Sequence, residues 1–261
     1  MTPRRPLRMT LLASVVAVAA ACGGGTPAAP ALTDPVDILV QSVETLQDVK
    51  TFHVDAAVSG SINVDITGTG AGSAFPLDNT TATLDVDIEN MNARATFAAP
   101  GLLGLSGELI QIGTTSYVKT SLTGAQYQKQ ESETISIDDT TEMTDEDIQE
   151  LRDALAKPEV APVKGDDAEC GNTTCYTVTI DLTAEEVEAL GGELPTDELP
   201  TDVSEASFAV TFNVEKESLR PAGIDLTVDL GTQGSIQLEL TFSKWNEAVE
   251  VSAPPADQIA P

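Results

Sequence analysis

Apolar and polar residues alternate one by one over much of the chain, and this constrains the fold more than any other feature. The alternation is clear at residues 84–88, 176–182, 208–214, 224–230 and 236–242. Successive side chains of a β-strand point to opposite faces, so each segment has one apolar and one polar face. The pattern predicts a large antiparallel sheet of nine or ten strands, with one face in the core and one in water.

Few helices accompany these strands. Asp34 and Pro35 are typical of a helix start, and Thr144 begins a second helix that ends before Pro158. The segment 183–186 reads Thr-Ala-Glu-Glu, a capping box that predicts a third helix. Three short helices can cover only a small part of the apolar face of such a sheet. We therefore predict an α+β fold in which the sheet curves around an interior filled by side chains or by a ligand.

Composition excludes several functions. The chain has 261 residues, a formal net charge of −29, one histidine and three cysteines. Such a charge opposes contact with nucleic acid. The scarcity of His and Cys argues against a zinc centre or a His-dependent triad, so we expect no cofactor, no metal and no enzymatic activity. The single histidine, His53, is interpreted as a surface residue. The acidic runs 138–139 and 145–147 lack the spacing of a calcium loop and are interpreted as solvated.

The N-terminus predicts export. Met1 to Ala21 has a basic start and a short apolar run, as in a signal peptide. Small residues then precede Cys22, as in a lipobox, where bacterial lipoproteins are cleaved and diacylated with palmitate-type chains. The prediction is a signal at 1–21, lipidation of Cys22, a flexible tether at 22–33, and one domain at 34–261 outside the cytoplasm. The alternative is an ordinary secreted protein in which Cys22 is incidental.

Cys170 and Cys175 flank Gly-Asn-Thr-Thr. In an oxidising compartment this spacing favours a disulfide that closes a hairpin turn. A redox-active pair is the alternative, although the spacing is not C-x-x-C.

Three segments resemble one protein family. Ser235–Pro255 contains a strand, Ser-Lys-Trp, an acidic turn, a Val-rich strand and a Pro pair. These residues resemble the end of the mycobacterial LppX/LprAFG lipoproteins, Thr51–Val58 resembles their first strand, and Gly113–Thr120 resembles their central hairpin. The resemblance implies a strongly curved antiparallel half-barrel on a few short helices around an apolar cavity, as in LolA/LolB-like carriers. It also implies a multi-acyl lipid or glycolipid ligand and an export transporter as partner.

On this interpretation the inward strand residues contact lipid, whereas the simpler interpretation is core packing. The residues are Ile62, Val64, Ile66, Leu84, Val86, Ile88, Val178, Ile180, Val210, Phe212, Leu226, Val228, Leu238 and Leu240. Leu102, Leu103 and Leu105 lie among Gly and Pro. They are interpreted either as a mobile lip at a cavity mouth, or as a membrane-touching tip, or as a buried turn and the start of a strand. Trp245 is interpreted as closing one end of the core.

The functional prediction is therefore a membrane-anchored extracytoplasmic lipoprotein, expected to be a monomer, that binds acylated lipid and carries it across the envelope. Each methylene group of such a lipid that is exposed to water, and not buried in protein or bilayer, costs about 0.8 kcal/mol of free energy. The alternative is a non-carrier surface lipoprotein, an adaptor or a structural envelope component with a filled core.

Overall fold

Strand pairing in the computed structural model follows the predicted period of two. The structure describes residues 31–64, 73–131, 144–189 and 206–260. Within these residues thirteen strands form one antiparallel, curled sheet. The strands are β1 (Thr51–Val64), β2 (Ser73–Pro76), β3 (Thr80–Asp87), β4 (Asn92–Ala99), β5 (Leu105–Ile112), β6 (Thr115–Thr120), β7 (Gln128–Glu131), β8 (Val163–Lys164), β9 (Ala168–Cys170), β10 (Thr173–Thr183), β11 (Ser207–Glu215), β12 (Pro221–Asp229) and β13 (Gly234–Ser243).

The strand order is β7-β6-β5-β4-β3-β1-β13-β12-β11-β10-β8, with β2 beside β1 and β9 beside β10. Nearly all neighbours are sequence neighbours, and the β1–β13 pair joins the two halves. In the described part of the chain the helices are α1 (Pro35–Glu44), α2 (Asp145–Leu155) and α3 (Ala184–Ala189), with short 3₁₀ segments at Thr45–Asp48, Gly231–Gln233 and Ala256–Gln258. Leu32–Pro261 forms one compact unit.

The three helices begin where side-chain capping predicts. Asp34 accepts hydrogen bonds from the amides of Val36 and Asp37 at the start of α1. Thr144 and Asp147 form a reciprocal capping box at α2. The amide of Thr183 donates to Glu186 at 2.7 Å, and the Glu186 amide donates back at 3.3 Å. These predictions are confirmed.

Strand β1 is longer than the segment Thr51–Val58 that resembles the family's first strand, because Thr51–Val64 is continuous. Its partner on one side changes from β3 to β2 around Gly60, which has φ +104°. A Cβ at Gly60 would lie 2.2 Å from the carbonyl oxygen of Ser235, so only glycine fits. Ile66 and the acidic run 138–139 lie outside the described residues. So do the glycine-rich segment 68–72, for which the sequence predicts a turn, and the doubled Glu-Leu-Pro-Thr-Asp segment 193–202, for which it predicts a loop.

The sheet has an apolar inner face and an acidic outer face. Asp181, Asp225 and Asp229 are exposed on the outer face, as predicted. On the inner face α1 packs over β10 and β11, where Ile38 and Val178 are fully buried. His53 also lies on the outer face, but its side chain is only 12% exposed between Asp55 and Asp85. His53 therefore lies at the surface of the sheet, as interpreted from the sequence, with two carboxylates beside its ring.

Cys170 and Cys175 form the predicted disulfide across the β9–β10 turn. The disulfide restricts the unfolded chain, and because the loop it closes is short, the resulting stabilisation of the fold is only about 2 kcal/mol. We expect C170A/C175A to lower the free energy of unfolding by about that amount in urea denaturation. As a control, dithiothreitol should destabilise the native protein equally and leave the variant unchanged. Full reduction without destabilisation would contradict the prediction.

A polar cluster on the outer face fixes the C-terminal segment. The Tyr127 amide donates to the carbonyl of Gln258, and the Ala260 amide donates to the carbonyl of Tyr127, both at 2.8 Å.

The Tyr127 hydroxyl donates to Glu108 at 2.6 Å, and Arg94 donates to the same carboxylate at 2.8 Å. Burial raises the pKa of Glu108, but the hydrogen bonds from Tyr127 and Arg94 together outweigh it. The pKa therefore lies below its ordinary value.

This lowered pKa predicts a pH-dependent stability. The ionised Glu108 stabilises the fold above the pKa of the unfolded chain, about 4.3, and the contribution is lost as the pH falls through the folded pKa. We expect E108Q to lower the urea midpoint at pH 7 and to match the native protein increasingly below about pH 4. The control E89Q, whose exposed carboxylate lies 3.7 Å from Lys50, should show little effect. An equal E108Q deficit at pH 7 and pH 3 would contradict this assignment.

Candidate functional site

An apolar cavity of about 400 Å³ lies between the helices and one end of the sheet. It is lined by Leu39, Ser42, Val43, Leu46, Gln47, Val49, Phe52, Ile88, Leu151, Leu155, Phe212, Asn213, Val214, Pro221, Gly223, Ile224, Phe242 and Trp245. Of these eighteen residues only Ser42, Gln47 and Asn213 are polar residue types. The walls are therefore suited to a hydrocarbon ligand.

One wall is helical. The apolar stripe of α1 and the 3₁₀ segment that follows contributes Leu39, Val43 and Leu46, and α2 contributes Leu151 and Leu155. An ion pair between Arg152 of α2 and Asp37 of α1 links the two helices. Hydrogen bonding to Asp37 raises the pKa of the Arg152 guanidinium. The two amphipathic helices thus place their apolar faces at the same cavity.

The other wall is the inner face of β1 and β11–β13. Phe52, Phe242 and Trp245 form an aromatic cluster there, in which the Trp245 ring lies 5.7 Å from Phe52 and 5.8 Å from Phe242, centroid to centroid. Trp245, which the sequence predicts to close one end of the core, lies in this cluster and lines the cavity. Its buried indole N–H has no hydrogen-bond partner in the described part of the chain.

A second pocket of about 700 Å³ lies along the outer face and has a different character. Its lining includes Glu215, Asp225, Glu239 and Glu247 with Lys244 as the one basic residue. Carboxylates would have to be desolvated to receive an acyl chain. The smaller apolar cavity is therefore the better candidate site.

The predicted lipid-contacting residues occupy three kinds of place. Ile88 and Phe212 line the cavity. Val178 and Ile180 lie in the core cluster under α1, and Val86 is buried. Val64 ends β1, and Ile66 lies outside the described residues. The remaining members are half-buried, and their register puts them on the inner face: Ile62, Leu84, Val210, Leu226, Val228, Leu238 and Leu240.

The sequence prediction overlooked most of the cavity wall. The helices were predicted, but their apolar residues were not assigned to the site, and Phe52, Phe242 and Trp245 were placed in a strand or in the core. The available signal was the position of these aromatics at strand ends, next to the predicted helix. The cavity lies where α1, the 3₁₀ segment after it and α2 face the strand ends that carry Phe52, Pro221 and Phe242.

The leucine turn between β4 and β5 is exposed. Leu103 is 102% exposed and Leu102 is 38% exposed, while Leu105 is half-buried at the start of β5. The interpretation as a buried turn is therefore wrong, because Leu103 has φ +57° and its side chain projects into solvent. The turn lies at the end of β4 opposite to the cavity residue Ile88.

In the described residues no group of three His, Cys, Asp or Glu side chains could hold a metal ion. None of the helices that the structure describes is long and apolar enough to cross a membrane.

No model of a protein family matches the sequence. No curated protein matches it either. Among solved structures, the chain is similar in fold to the lipoprotein LppX of Mycobacterium tuberculosis, with 20% identity and a TM-score of 0.48, covering 84% of this chain and 100% of that chain. It is also similar to LprF of Mycobacterium bovis, with 16% identity and a TM-score of 0.46, covering 86% and 98% respectively. These neighbours match the family that the sequence motifs resemble.

Proposed function

We propose that this protein binds acylated lipid in the cavity between α1, α2 and the sheet, and carries the lipid across the cell envelope. The observation that supports the proposal is the cavity of about 400 Å³ with its apolar walls. Protein interiors are normally close-packed, and an unfilled apolar cavity of this size leaves its lining side chains without the contacts that a packed core would supply. A chain that only needed a core would fill it. The alternative with a filled core is therefore less well supported.

The cavity volume suggests how much lipid is enclosed. A methylene group fills roughly the space of a water molecule, about 30 Å³, so about a dozen methylenes fit. This corresponds to one acyl chain. The other chains of a multi-acyl lipid or glycolipid would lie along the half-buried apolar residues of the inner face.

The anchor belongs to the same proposal. A diacylated Cys22 and a tether at 22–33 would hold a monomeric domain, residues 34–261, at the membrane outside the cytoplasm. A transporter would deliver or receive the lipid. The carrier itself would need no chemical step and no cofactor, since it exchanges burial in a bilayer for burial in protein.

Two measurements test lipid binding on residues 23–261, which contain the whole compact unit Leu32–Pro261. Native mass spectrometry after purification from a bacterial host should detect about one bound acylated lipid per chain. After delipidation, a brominated fatty acid should quench Trp245, the only tryptophan of the chain, whereas the unbrominated acid should not. Protein without lipid, and no quenching at saturating acid, would overturn the proposal.

A further inference from the structure

Two exposed loops meet at the end of the sheet opposite the cavity. The β6–β7 loop is joined to the start of β5 by a hydrogen bond from the Ser121 amide to the Ser106 carbonyl at 2.8 Å and one from the Ser106 amide to the Ser121 hydroxyl at 3.2 Å. The Ser121 hydroxyl also donates to the carbonyl of Gly104 in the β4–β5 turn at 3.5 Å. Together the two loops display Leu103, 102% exposed, Leu122, 81% exposed, and Leu102. We call these three side chains and their loops, 100–105 and 120–125, the leucine tip.

Folding does not account for the leucine tip. Leu103 and Leu122 are largely exposed, and Leu103 also adopts a left-handed backbone that leucine disfavours. The β4–β5 turn is nevertheless held in place, because Gly101 packs so closely on β2 that a Cβ there would lie 2.1 Å from the Pro76 carbonyl oxygen. A fixed turn that presents leucine to water is typical of a binding surface.

Charge indicates what the leucine tip contacts. The segments Pro-Gly-Leu-Leu-Gly-Leu (100–105) and Thr-Ser-Leu-Thr-Gly-Ala (120–125) contain no charged residue, in a chain of net charge −29. The neighbouring Lys119 is engaged with Tyr127 at 3.1 Å and with Glu108 at 3.4 Å. An uncharged apolar projection lets an acidic protein approach a lipid surface without bringing its carboxylates close to it.

Size favours a bilayer over a protein partner. Three leucine side chains offer at most roughly a few hundred Å², whereas a stable protein interface needs about 800 Å² from each partner. A bilayer needs no complementary shape, only apolar groups that reach its acyl region. We propose that the leucine tip docks the domain on a neutral lipid bilayer by inserting Leu102, Leu103 and Leu122.

The inner face connects the leucine tip to the cavity. Leu105, Phe97 and Leu109 lie on the inner face of β4 and β5, and Phe97 and Leu109 are each 37% exposed. The register continues this row through Ala95 to Leu84 and on to β1, where Phe52 lines the cavity. This part of the inference rests on the proposed function: an acyl chain leaving the bilayer at the tip would follow an apolar path to the cavity.

A vesicle experiment on residues 23–261 tests the docking. An N-terminal His tag holds the protein on phosphatidylcholine vesicles that contain a nickel-chelating lipid, so that every variant is equally close to the surface. A nitrobenzoxadiazole label is attached to A125C beside the leucine tip or to E217C, an exposed site at the cavity end. Nitroxide-labelled lipids should quench the tip label at least threefold more strongly than the E217C label. Stronger quenching at E217C, or none at either site, would overturn the proposal.

Variants distinguish insertion of the three leucines from nonspecific adsorption of the protein to the vesicles. L102S/L103S/L122S should abolish the difference in quenching, while the matched control V163S, at a 62% exposed valine elsewhere, should retain it. Replacing half of the phosphatidylcholine by phosphatidylglycerol should weaken the quenching, and stronger quenching would contradict a neutral surface. Quenching of Trp245 by brominated fatty acid in the same variants reports the cavity independently, so failure of docking and failure of lipid binding are distinguishable.

Discussion

Replacing Ile38 with alanine will lower the free energy of unfolding by about 2–5 kcal/mol. Ile38 is fully buried in α1 and belongs to the core cluster with Val178 and Val214. Truncation removes transfer free energy and leaves a void that close-packed neighbours can fill only in part. Against a typical total of about 5–15 kcal/mol, this loss is large. Urea denaturation followed by circular dichroism measures it.

The variant also tests whether α1 is anchored to the sheet as a cavity wall. V163A is the matched control, because Val163 is 62% exposed at the β8 edge and should cost less than about 0.5 kcal/mol. In I38A the neighbouring residue Leu39, which lines the cavity, should also lose its fixed position. We therefore expect less lipid to co-purify. A stability loss for I38A as small as that of V163A would mean that α1 does not pack as described.

Elements whose determinants are local were predictable from sequence. The three described helices begin at Asp34, Thr144 and Thr183 because a side chain there satisfies free backbone amides, which needs no tertiary information. The strands β10–β13 were also predicted, since their inward positions hold large branched and aromatic residues. For the disulfide, the sequence spacing and the expected compartment were sufficient.

Other strands were not visible in the pattern. β4 reads Asn-Ala-Arg-Ala-Thr-Phe-Ala-Ala, and alanine does not mark an inward face as valine or isoleucine does. β7, β8 and β9 have only two to four residues and form through their neighbours. This is why the sequence predicted nine or ten strands and the described residues contain thirteen.

The sequence predicted the candidate site less well than the fold, because the cavity forms between the helices and the sheet and is not encoded in any single strand. Alternation identifies the inward face of each strand but not which stretch of it faces a helix and which stays half-exposed. Phe52, Ile224 and Phe242 line the cavity because α1 and α2 end above them. That relation depends on connections between elements distant in sequence. The exposed Leu103 similarly depends on a left-handed φ that leucine rarely adopts.

Filling the cavity should abolish lipid binding without harming the fold. In V43F/L46F, two phenyl rings replace smaller side chains that line the cavity from α1 and the 3₁₀ segment after it. They would occupy space that an acyl chain needs, so we expect at least a tenfold loss of affinity for brominated fatty acid, measured by quenching of Trp245. Native mass spectrometry should show the variant free of lipid. Because the rings fill a void, the lipid-free variant should be as stable as the native protein or more stable by about 0.5–2 kcal/mol.

A loss of lipid affinity together with unchanged or increased stability in V43F/L46F distinguishes a ligand cavity from a packed core. In a tightly packed core the added rings would strain their neighbours and cost about 1–3 kcal/mol, and any loss of binding would follow from unfolding. V163F adds one such ring at an exposed site and should change neither quantity. Unchanged lipid content with reduced stability in V43F/L46F would show that this volume belongs to the core. The lipid would then have to bind on the half-exposed inner face around Phe97 and Leu109.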